Sequence, residues 1–141
     1  MKIRYQNTQL WNECALVSIW NACRYWGLDY PVMGTKEYRL SCVEACAING
    51  GAIGVSKQFR KYGIARVYGR YAFGWVKWNL PVEFSVFCHM GYHSVLAVDV
   101  RDDRVLLANY ARDMTYWLDW DRLCGISNGR CRPAQFRKGI E

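Results

Sequence analysis

The chain has 141 residues, 52% of them apolar and 22% charged. That length suits one domain, residues 1–141, and that composition buries a core and excludes intrinsic disorder. The formal charge of +7 favours an acidic partner. The basic residues are scattered, however, in loose groups at 57–61, 66–70 and 130–138. With no nucleic-acid motif beside them, nucleic acid is not an expected partner.

No stretch approaches the roughly 18 apolar residues of a membrane span. The start MKIRYQNTQLWNEC lacks the apolar run of a signal peptide. A soluble chain is expected, cytoplasmic or part of a larger particle, beginning directly on the mature domain. The seven cysteines, at 14, 23, 42, 46, 88, 124 and 131, are an odd number and read as reduced thiols. Zinc held by Cys42, Cys46, Cys124 and Cys131 would need spacings that fit no standard knuckle. Neither metal nor cofactor is expected.

In chain order, Leu16, Ile19, Cys23 and Trp26 form one apolar stripe, which predicts a helix over 14–26 with Asn12 as cap, Glu13 in the first turn and Gly27 as stop. A second helix is predicted over 35–49, between Gly34 and Asn49-Gly50-Gly51. A third runs from a Ser56 cap to Tyr62, ended by Gly63. The period then changes to two: strands are predicted at 64–68, 82–87, 93–100 and 104–110, the last two joined by Asp102-Asp103. Residues 69–79 read as a Gly/aromatic loop, Tyr116–Trp117 as a further strand and 120–124 as a short helix, with no assignment from Gly125 onward. Helices followed by an antiparallel sheet make the fold class α+β.

A cysteine at a helix N-terminus beside an imidazolium has a lowered pKa. Cys14 stands where the first helix begins, although a buried helix-start cysteine is the commoner use of such a position. A cysteine nucleophile also needs a base held by a third group. His93 opens one strand and Asn109 ends its neighbour, so pairing them brings the two to the same end of the hairpin, with Asn109 accepting the imidazole N–H. The other histidine, His89, sits in a loop without such a partner and reads as a rim residue. A thiolate–imidazolium pair of Cys14 and His93 is the expectation.

The run Asn12-Glu13-Cys14-Ala15-Leu16-Val17-Ser18-Ile19, closed by Gly27, resembles the nucleophile helix of the bacteriocin-processing (double-glycine leader) peptidases of the papain-like clan. The resemblance continues in order over roughly residues 6 to 124. It takes in Gly54-Val55-Ser56 with Phe59 and Tyr62-Gly63-Ile64, then Leu80-Pro81-Val82, Gly91-Tyr92-His93-Ser94-Val95-Leu96 and Val105-Leu106-Leu107-Ala108-Asn109. It implies a papain-like fold, Cys14 as nucleophile, His93 as base and Asn109 as the orienting residue, where these relatives more often carry Asp. The family places an oxyanion-binding Gln six residues before the nucleophile, but Thr8 stands there. Gln9 is the expected substitute, in preference to Gln6. Ala15 replaces the usual Gly, and Asn109-Tyr110 the usual Asp-Pro.

The resemblance thus implies a cysteine peptidase acting on a peptide or isopeptide bond after small residues such as Gly, and Trp11 with the Trp and Tyr residues of 68–78 is expected to line the cleft. The alternatives are a non-catalytic papain-like module in a larger assembly, for example a phage or secretion component, and more weakly a small nucleic-acid-binding domain. Expected partners are a peptide or protein substrate and an assembly partner.

Overall fold

The computed structural model describes residues 5–7, 14–47, 52–88, 91–111, 114–127 and 132–139. Helix α1 spans Cys14–Trp26, α2 Lys36–Ala47, α3 Ala52–Tyr62, α4 Phe73–Trp78 and α5 Trp120–Ser127. The strands are β1 (Ile64–Tyr68), β2 (Val82–Cys88), β3 (Gly91–Arg101), β4 (Arg104–Ala111), β5 (Met114–Asp119) and β6 (Ala134–Lys138). They form one antiparallel sheet in the order β1-β6-β2-β3-β4-β5. The α+β class is as expected.

The period-two pattern of the central strands explains the layering. Leu96 and Val98 of β3 join Leu16, Ile19, Trp20 and Cys23 of α1 in one buried cluster. The intervening Val95 and Ala97 join Val76 of α4 and Leu123 of α5 in a second. Alternate side chains therefore feed opposite faces of the sheet, and helices cover both. At its far end α1 stops as Gly27 predicts: Gly27 has φ +72, its N–H donates to Arg24 O (3.3 Å) and that of Leu28 to Cys23 O (2.8 Å). These two bonds satisfy the last carbonyls in a Schellman motif. The indole of Trp26 then donates to Phe136 O (2.8 Å), tying the helix to β6.

Three expectations change. Helix α3 begins at Ala52, so Ser56 lies inside the helix and does not cap it; Gly54 is absorbed at the cost of some backbone entropy. Residues 73–78, expected as loop, form α4, which places Val76 in the second cluster. The unassigned tail supplies β6, which inserts between β1 and β2. The Asn12 cap and Glu13 lie outside the described residues. Among the described residues no helix is long and apolar enough to cross a membrane, and Cys14, Cys23 and Cys124 are free thiols.

Candidate active site

The site forms where two paired strands part. Strands β3 and β4 are in register from Arg101↔Arg104 to Leu96↔Ala108, with one shift between Ala97 and Asp99. The β4–β5 register also slips between Leu107 and Ala111, so Ala108–Tyr110 leave the regular pairing with β5. Asn109 takes advantage of that freedom with φ +66, a left-handed conformation that Asn tolerates better than most residues. The first turn of α1 lies against this opening.

Asn109 joins the candidate residues. It is 2% exposed, and its side-chain Nδ2 donates to Ser94 O (3.0 Å) and Cys14 O (3.2 Å). Its backbone carbonyl meets His93 Nε2 at 2.5 Å. A carbonyl only accepts, so Nε2 carries the proton and the neutral imidazole keeps its lone pair on Nδ1. The sequence placed Asn109 beside His93 with its side chain as acceptor; in the structure the main-chain oxygen makes that bond, and the amide holds the backbone of Cys14. The amide orientation follows from its partners, since both are acceptors.

Burial is the largest influence on both titrating groups. Burial pushes the Cys14 thiol above its ordinary value, and the charge of Glu83 adds to this. Backbone N–H groups of Ser94, Ala15 and Cys14 itself oppose the rise without overcoming it. Burial also lowers the His93 pKa, against the bond to Asn109. Taken group by group, burial favours the neutral thiol at Cys14 and the neutral imidazole at His93. Desolvation of the charged forms is the reason.

A polar network that sequence reasoning missed lies beneath. Ser94 Oγ bonds to Ser18 Oγ of α1 (2.9 Å) and to Glu83 Oε2 of β2 (2.6 Å). Glu83, its side chain 13% exposed, pairs with Arg66 at 2.7 Å. Burial raises the Glu83 pKa, with Arg66 the main opposing influence. The only signal was Ser94 following His93: a polar residue on the core-facing parity of the strand requires a buried partner.

Of the two glutamines considered for the oxyanion, Gln6 is committed elsewhere. Its Oε1 accepts from Met33 N (2.5 Å) and its Nε2 donates to Pro31 O (3.2 Å). Its main chain exchanges two bonds with the Asn21 side chain, both 2.8 Å. Asn21 is seven residues beyond Cys14 on α1, about 10 Å along the axis. Gln9, Thr8, Trp11 and His89 lie outside the described residues. Tyr71 and Trp75, expected at the cleft, instead pack against the second cluster, whereas Trp78 is 82% exposed.

No protein-family model and no curated protein matches the chain. Solved structures do. A double glycine motif protease from an AMS/PCAT transporter, determined in complex with its leader peptide, is similar over 97% of this chain and 92% of its own, with TM-score 0.69 and 16% identity. The peptidase domain of Streptococcus ComA, a bi-functional ABC transporter of a quorum-sensing pathway, is similar over 99% of this chain and 100% of its own, with TM-score 0.69 and 10% identity. The fold of this chain is the α+β fold of double-glycine peptidase domains, covered almost end to end.

Proposed function

We propose that the protein is a cysteine peptidase with Cys14 as nucleophile, His93 as general base and acid, and Asn109 as the residue that orients both. The observation that carries this is the double engagement of Asn109, whose carbonyl takes the His93 Nε2 proton while its amide holds Cys14 O. The base then has one basic atom, Nδ1, and the helix start that bears the thiol is fixed to the same residue.

Because burial keeps both groups neutral at rest, the thiol is activated during attack. Sγ adds to the carbonyl carbon as its proton passes to Nδ1. The imidazolium next protonates the leaving amine as the C–N bond breaks. Water, deprotonated by the same nitrogen, then releases the acyl group. The oxyanion would be held by the Cys14 backbone N–H and by Gln9, the glutamine left once Gln6 is committed to 31–33.

The likeness to a protease solved with its leader peptide makes a peptide ending in small residues such as Gly the first substrate to try. Incubation with a double-glycine leader peptide, followed by mass spectrometry, should show cleavage after the glycines that disappears in Cys14→Ala. A panel of such peptides left intact, with Cys14 no more reactive than other thiols, would favour the second reading. That reading is a papain-like docking module, and the neutral resting pair gives it its support.

A further inference from the structure

The net charge of the chain is concentrated on one edge of the sheet. Residues 52–72 and 132–139, which form α3, β1, β6 and their connections, hold eight of the nineteen basic residues and none of the twelve acidic ones. The other eleven basic and twelve acidic residues nearly cancel. Groups that look scattered along the sequence are gathered because β6 pairs with β1. Two acidic side chains reach in from outside, Glu83 to Arg66 at 2.7 Å and Glu44 to Lys61 at 3.4 Å. That leaves Lys57, Arg60, Arg70, Arg132, Arg137 and Lys138 outside the ion pairs found among the described residues.

The same edge offers main-chain groups. Strand β1 is at the end of the sheet. Gly69 N–H donates to Pro133 O (2.8 Å) and Gly139 N–H to Gly63 O (2.6 Å), which fixes the odd-numbered residues as those bonded to β6. By antiparallel alternation, the N–H and C=O of Ile64, Arg66 and Tyr68 point away from β6. Arg66, Val67 and Tyr68 are exposed. Like charge discourages two copies from pairing along this edge, and the same charge attracts an acidic strand.

We propose that the outer edge of β1 binds an acidic, extended peptide segment as an added strand, with main-chain bonds to Arg66 and Tyr68 and with its carboxylates facing the surrounding Lys and Arg side chains. A polynucleotide would answer the charge but has no amide backbone to continue the ladder. The exposed Tyr68 ring is not open for stacking a base, since the Arg66 and Arg132 guanidinium groups already lie 5.7 and 5.8 Å from its centroid. The edge is three strands from β3, about 14 Å away, so it is separate from the thiol site and stands whether or not that site is active.

The test uses the full chain and a short peptide of alternating Glu and Val, with its Lys/Val counterpart and oligothymidylate as controls. The Glu/Val peptide should bind, weaken with added salt, and slow amide exchange at Arg66 and Tyr68; the Lys/Val peptide should not bind. Tyr68→Pro removes an outward N–H without touching the β6 ladder and should weaken binding by about fivefold or more. Arg137→Glu combined with Lys138→Glu should weaken it by about tenfold while leaving the fold intact, which keeps the test decisive should the proline variant not fold. The proposal is overturned by failure of the Glu/Val peptide to bind, by exchange at Arg66 and Tyr68 that does not slow, or by oligothymidylate binding more tightly than the peptide.

Discussion

Two cysteines on one helix show what surrounds a thiol mattering more than the element that carries it. Cys14 and Cys23 both belong to α1, nine residues apart, about 14 Å along its axis. Cys23 is fully buried in the apolar cluster between helix and sheet, and burial drives its thiol up to about 12, opposed only by its own backbone. Cys14 is also raised by burial, but amides from two elements, Ser94 of β3 and Ala15 of α1, converge on its sulfur. The main chain next to it is gripped by Asn109. The first turn of α1 is therefore a polar site let into the parting of β3 and β4, whereas its third turn is plain core. A helix N-terminus alone does not lower this thiol, because burial outweighs it.

The sharpest break of this comparison is to delete each sulfur in turn. Cys14→Ala should lower peptide hydrolysis by roughly four to six orders of magnitude. Cys23→Ala should leave turnover per folded molecule unchanged and reduce stability by about 1 kcal/mol, read from denaturant midpoints. His93→Ala should cost about 10²–10⁴ in kcat/KM. Its lowered pKa sets the sign of the acid limb: protonation removes the base, so activity should fall with decreasing pH at a midpoint below the ordinary histidine value of about 6.5.

Asn109→Asp comes next, and it separates this chain from relatives that more often carry Asp. A carboxylate at this 2% exposed position would face two carbonyl oxygens without the donors that now satisfy them. The destabilisation should be about 3–5 kcal/mol at neutral pH. Its folded-state pKa would be raised, so the loss should be small in acid and grow as pH rises through the unfolded value near 4. Melting curves at two pH values measure it. The smallest effect belongs to Gln6→Ala, which removes the bonds to Pro31 O and Met33 N. It should cost about 1–3 kcal/mol in stability and leave the hydrolytic rate of folded protein unchanged.

Much of this was legible locally. The α1 stripe and Gly27 predict the helix from Cys14 to Trp26, and the structure has those bounds. The Asp102-Asp103 turn fixes β3 against β4, which brings Asn109 to His93. What escaped depends on distant partners. Ala-Gln-Phe-Arg-Lys is too short and too basic to announce β6, and its place between β1 and β2 follows from pairing across more than fifty residues of chain. The aromatic run at 71–78 has no loop signature beyond Gly74; burial of Val76 against β2 and α5 makes it a helix. Glu83 reads as a solvent residue in an alternating strand until Ser94 and Arg66 close around it. The ionisation of the site escaped for a similar reason: a sequence shows that a cysteine begins a helix, not how much water the folded chain removes from it.

The central claim, that Cys14 is a nucleophile served by His93, is tested most directly by competitive alkylation near neutral pH with iodoacetamide, read cysteine by cysteine through peptide mapping. Cys124 is the control for simple access, being partly exposed with a thiol also raised by burial and by the nearby Asp121. Cys14 should label faster than Cys124, Cys23 should scarcely label, and His93→Ala should slow Cys14 alone. Labelling of Cys14 no faster than Cys124, or unchanged in His93→Ala, would contradict it.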